Sequence, residues 1–72
     1  MDIIDAEDAV LAAWPGWRTE NLPADKVADG RDAFLFFGDL QSKRPELLSF
    51  PYNGDRWQAI HGWLLHRRLV SD

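Results

Sequence analysis

The sequence predicts an all-α protein, a compact three-helix bundle. Three observations carry this. Apolar residues recur at helical spacing in three stretches. An Asp stands near the start of each stretch, where a carboxylate can accept from free backbone N–H groups. Proline or glycine punctuates the gaps between them.

The first helix is expected near residues 5–14. Asp5 caps it, with Asp8 at its third position. Ile3, Ala6, Val10, Ala13 and Trp14 share a face. Asp2, Asp5, Glu7 and Asp8 load the end where the helix dipole favours anions. The helix should stop near Trp14, because the residue before Pro15 is pushed out of the α region. Trp14-Pro15-Gly16-Trp17 then reads as a type II turn, with proline presetting the second position and glycine taking positive φ at the third. Such a turn holds two indoles together, either as a corner packed on the core or as an aromatic clamp for a peptide or base.

The second helix is expected near residues 24–43. Pro23 suits the entry to a helix. Gly30 weakens the segment by about 1 kcal/mol relative to Ala. Asp29 offers a fresh start, with Asp32 at its third position. The segment is therefore one long helix, or a short turn followed by a helix over 31–43. Ala33, Phe34, Phe36, Phe37 and Leu40 cover a wide apolar arc, which makes this the central helix. Leu35 falls outside the arc beside Gly38, and an exposed Leu next to a glycine notch lets a partner approach closely. Asp25, Asp32 and Asp39 line up on the polar side if the helix is continuous. They form either a solvated face or an acidic surface for a basic partner. Lys43 follows Asp39 at the i, i+4 spacing of a helical ion pair.

Pro45 ends this helix, and a short helical turn is expected near residues 46–49. Phe50 precedes a proline and should be extended. Phe50 and Tyr52 are expected to pin the loop onto the bundle.

The third helix, near residues 55–68, is the clearest. Asn53-Gly54 marks a turn, Asp55 caps the helix, and Gln58 follows three residues on. Trp57, Ile60, His61, Leu64 and Leu65 fall on one face, while Ala59, Gly62 and His66 face away. Arg56, Trp63 and Arg67 share a flank. Leu69 to Asp72 should fray. The expected core is Val10, Trp14, Phe34, Phe37, Leu40, Trp57, Ile60 and Leu64.

A chain of 72 residues makes one domain. Four Trp, four Phe and one Tyr supply the bulk that so short a chain needs for a core. The absence of cysteine excludes a disulfide scaffold and a thiolate metal site. The opening MDIIDAED is acidic where a signal peptide is basic, which suggests a soluble, cytoplasmic protein without membrane contact. Residues 1–32 carry eight acids and three bases, whereas residues 33–72 carry four acids and five bases. The acidic half argues against wrapping nucleic acid, because phosphate contacts need cationic surface.

The sequence shows no catalytic arrangement, so neither an enzyme nor a cofactor is expected. His61 and His66 would lie about 140° apart on a helix and cannot share a metal as i, i+4 ligands do. Ser42, Ser49 and Ser71 sit in no nucleophile motif. The expected function is non-catalytic binding of a protein partner. Trp, Tyr and Arg dominate interface energetics, which points to Trp63 and Trp17, flanked by Arg18, Arg56 and Arg67, with Trp63 and Arg67 as the anchor patch. The other candidate surface sets Asp25, Asp32 and Asp39 against a basic groove, such as one that normally holds nucleic acid. A homodimer seam at the Trp63 patch fits the same residues. In size, acidity and lack of cysteine the chain resembles small inhibitors and adaptors carried by phages and mobile elements, anti-CRISPR-type proteins among them. The alternative is a helix-turn-helix-like nucleic-acid-binding regulator that uses the last helix. There Arg56 and Arg67 would read base edges, Trp63 would stack on an unpaired base and Lys43 and Arg44 would contact phosphates, although the turn before the helix is longer than that motif allows.

Overall fold

The structure is a computed structural model and describes residues 2–72. It is all-helical, a three-helix bundle of α1 (Ile3–Asn21), α2 (Gly30–Lys43) and α3 (Arg56–His66), with a 3-10 turn at Pro45–Leu48. Among the described residues there is no strand, and no helix is long and apolar enough to cross a membrane.

Asp2, rather than Asp5, caps α1, accepting from the Ile4 amide at 3.0 Å. Ala6, Val10 and Trp14 form its buried stripe, as the spacing predicted. The helix does not stop at Trp14, and the expected type II turn is absent. Pro15 lies inside α1, and Gly16 does not adopt a positive φ. The reason is aromatic packing. Trp14 and Trp17 lie three residues apart, so a continuous helix puts both on one side. There they stack at 5.5 Å, and both reach Phe36 at 5.1 and 5.4 Å. Past Pro15, the Thr19 hydroxyl and the Asn21 amide donate back to the Pro15 and Trp17 carbonyls.

α2 is shorter than 24–43. It starts at Gly30 because Asp29 and Asp32 close a capping box, each carboxylate accepting from the other residue's amide at 3.1 Å. Pro23 starts no helix. Residues 22–29 form an irregular segment held by Arg18, whose guanidinium donates to the Pro23 and Lys26 carbonyls.

The core holds Val10, Trp14, Phe37, Leu40, Ile60 and Leu64 as expected, together with Phe36 and Leu47. Phe34 is not in it, being 56% exposed, and Trp57 is only half-buried. On α3 the buried face is rotated towards Ala59, which the spacing turned outwards, while Leu65 is exposed. The cause is Phe50. It packs as a fully buried ring against Ala6 and Ala59, so α3 is covered by the preceding loop as well as by α2. Tyr52 stays exposed and meets the Phe50 ring edge-on.

α3 ends at His66, short of 68. Arg68 takes a left-handed conformation, φ 58°. The Leu69 and Arg68 amides then donate to the Leu64 and Leu65 carbonyls. This is a Schellman closure with arginine where glycine is usual. Residues 69–72 are docked rather than frayed. Val70 is buried, and the Ser71 amide donates to the Ala28 carbonyl at 2.8 Å.

Candidate functional site

The residues that the sequence marks for binding fall on three parts of the bundle. On α3, Trp63 is half-buried and its ring lies 5.4 Å from that of Phe50. Arg56 sits over the same Phe50 ring at 5.4 Å and donates to the Phe50 carbonyl at 2.8 Å. These two side chains therefore fasten the 49–55 loop to α3. Arg67 is exposed beyond the helix end.

The three aspartates form no common stripe. Asp25 is exposed in the turn before α2. Asp32 is only 2% exposed. The Lys26 ammonium contacts both of its oxygens, at 3.0 and 2.8 Å. Hydrogen bonding from Lys26 holds the Asp32 carboxyl below its ordinary range against the opposing effect of burial, helped by the Asp29 amide. Asp32 is thus a structural acid. Asp39 points the other way, and its Oδ2 accepts from the Trp17 indole N–H at 2.6 Å. Lys43 is 4.0 Å from the same oxygen.

Three of the marked residues do converge, on and beside the α1–α2 seam. Trp17 and Asp39 line a cleft of about 360 Å³ that opens to solvent. Leu35 lies one turn before Asp39 on the same ridge of α2 and is 52% exposed. The outer face of α2 also carries Phe34 and Gly38. A β-carbon on Gly38 would meet nothing within 4 Å. Phe34 and Leu35 thus flank a bare stretch of helix backbone. Beyond Phe34, the Trp57 ring stands edge-on to it at 5.2 Å, and His61 stacks on Trp57 at 4.7 Å.

Phe34 and Glu20 are the site residues that sequence reasoning missed. Phe34 sits at one edge of the apolar arc, where helical spacing alone predicts burial, yet it is exposed. Glu20 lines the cleft only because α1 continues past Pro15, which places it one turn beyond Trp17. Among the described residues no three His, Asp or Glu side chains gather as a metal ion would need. No protein-family model matches the chain, and neither a curated protein nor a solved structure matches it significantly.

Proposed function

We propose that this domain works without catalysis, by binding a protein partner through the outer face of α2. The observation that carries the reading is the pair Phe34 and Leu35, 56% and 52% exposed on either side of the open Gly38 notch. Among the described residues the exposed large apolar side chains are Ile4, Val27, Phe34, Leu35, Tyr52 and Leu65. Phe34 and Leu35 are the neighbouring pair among them on the outer face of the central helix, next to a glycine that weakens the helix by about 1 kcal/mol relative to Ala. A glycine there lets a partner's backbone come close between two apolar anchors. Occupation of a surface on host machinery, the mode of small phage-borne inhibitors, is the form of this function that the chain's size and acidity favour.

Gly38→Gln tests the reading, because the added side chain enters open space and spares the fold. Tagged wild-type and variant proteins would be used to capture partners from lysate of the source organism, with and without nuclease. A protein retained by the wild type in both arms and lost with Gly38→Gln and Leu35→Asp supports the proposal. Equal capture by folded variants sinks it. Partners that disappear on nuclease treatment would move the function to nucleic acid.

A further inference from the structure

We propose that the α1–α2 cleft receives an arginine side chain from a basic segment of a partner protein. The argument starts from how the charges in the cleft are already answered. Two acids, Glu20 and Asp39, and two bases, Lys43 and Arg44, line it. Arg44 is engaged elsewhere, its Nε donating to Glu46 at 2.7 Å. Lys43 stands 4.0 Å from Asp39 with a side chain 75% exposed, so it is readily displaced. Among the described residues the close hydrogen bond to Asp39 comes from the Trp17 indole, a neutral donor, so its charge is answered by the exposed Lys43 ammonium alone. Among the described residues the Glu20 carboxylate enters no ion pair or hydrogen bond. With Arg44 turned to Glu46, Glu20 and Asp39 face one remaining cation of the cleft, Lys43, above an apolar floor of Ala13, Trp17, Phe36 and Leu40.

A guanidinium answers each of these features. Its planar fork of donors matches a carboxylate, it stacks on an indole, and its methylene stem can lie on apolar surface. The cleft volume of about 360 Å³ falls at the small end of ligand pockets, which suits one side chain better than a large cofactor. Leu35, exposed one turn from Asp39, points to a peptide rather than a free amine. It offers the residues flanking the arginine an apolar rest outside the cleft. The proposal takes only the source of the arginine from the protein-binding reading. Its test needs no knowledge of the natural partner, so failure of the Gly38→Gln experiment leaves it standing.

The experiment is a titration of the ¹⁵N-labelled chain with acetyl-Ala-Arg-Ala-amide and with its citrulline counterpart, which has the same shape without the charge. The four tryptophans give four indole N–H signals, and loss of one in Trp17→Phe assigns the reporter. The arginine peptide should shift the Trp17 indole signal saturably and bind roughly fivefold or more tighter than the citrulline peptide. Glu20→Gln should weaken it by about five- to tenfold. Lys43→Gln should tighten it about two- to fivefold by removing a competing cation, an effect that a merely structural role for Lys43 would not produce. No shift at millimolar peptide, equal response to both peptides, or weaker binding in Lys43→Gln would overturn the assignment.

Discussion

The Gly30 amide donates to the Asp72 carboxylate at 2.7 Å, and the Asp72 carbonyl oxygen lies 2.8 Å from where a β-carbon on residue 30 would stand. This contact joins the start of α2 to a segment 42 residues away. The carboxylate also faces the positive end of the α2 dipole. His61 completes the fastening, its Nε2 lying 2.7 Å from the Asp72 carbonyl oxygen.

Two glycines of α2 should consequently respond to alanine with opposite signs. Gly38→Ala fills open space in mid-helix and should raise stability by about 1 kcal/mol. Gly30→Ala must displace the Asp72 backbone, and overpacking of this kind should lower stability by about 1–2 kcal/mol. Urea unfolding measures both. Faster exchange of the Ser71 amide in Gly30→Ala would show residues 69–72 released. A stabilising effect at both positions would mean that the Asp72 contact constrains nothing.

Asp32 gives the fold a defined acid sensitivity. Its folded-state pKa lies below the unfolded value, chiefly through the hydrogen bond from Lys26. Its contribution is therefore complete above the unfolded pKa of about 4. It fades as pH falls through the lower folded value. Asp32→Asn should cost about 2 kcal/mol at pH 7, in line with loss of charged hydrogen bonds at a buried site. The gap between variant and wild type should narrow below pH 4. Glu46 is also shifted downwards by Arg44, but that exposed pair is screened and adds little. Denaturant titrations at pH 7 and pH 3 would decide, and a constant gap would contradict the assignment.

Sequence reasoning succeeded where local chemistry decides the outcome. The Asp29–Asp32 box and the Asp55 cap are short-range devices, visible as residue types at fixed spacing. The stripe of Val10, Ile60 and Leu64 follows from helical periodicity. It failed where distant contacts overrule local preference. Continuation of α1 past Pro15 depends on Phe36, far along the chain, giving two indoles a common site. The exposure of Phe34 depends on which edge of the arc α3 covers, and the rotation of α3 depends on Phe50. The same limit applies to the candidate binding residues. Leu35 beside Gly38 was legible from the helix pattern, whereas the Trp17–Asp39 pair needed the fold to bring α1 and α2 together.

Pro15 is the point of greatest local conflict. It lacks the N–H that would donate to the Leu11 carbonyl, and its ring crowds that turn. Pro15→Ala restores the donor. Proline also restricts the unfolded chain, which offsets part of the gain. The variant should be more stable by about 1–2 kcal/mol, less than the full proline penalty of roughly 3 kcal/mol. Thermal unfolding would show the increase, and tryptophan fluorescence should stay unchanged if the Trp14–Trp17 stack persists. A loss of stability would show that the proline itself sets the course of α1 on which the stack depends.

Arg68 occupies a position that favours glycine. An L-residue in the left-handed region costs about 1–2 kcal/mol, and Arg68 has φ 58° with no side-chain hydrogen bond or ion pair among the described residues to offset it. The backbone needs the conformation, because it lets the Leu69 amide reach the Leu64 carbonyl at 2.9 Å and turns Val70 back into the core. Arg68→Gly should therefore stabilise the fold by about 1 kcal/mol, after allowance for the greater freedom of glycine in the unfolded chain. Arg68→Val should do the reverse, since a β-branched side chain tolerates positive φ worst. Urea midpoints of the two variants would settle it, and a destabilised Arg68→Gly would assign Arg68 a side-chain role that outweighs its backbone strain.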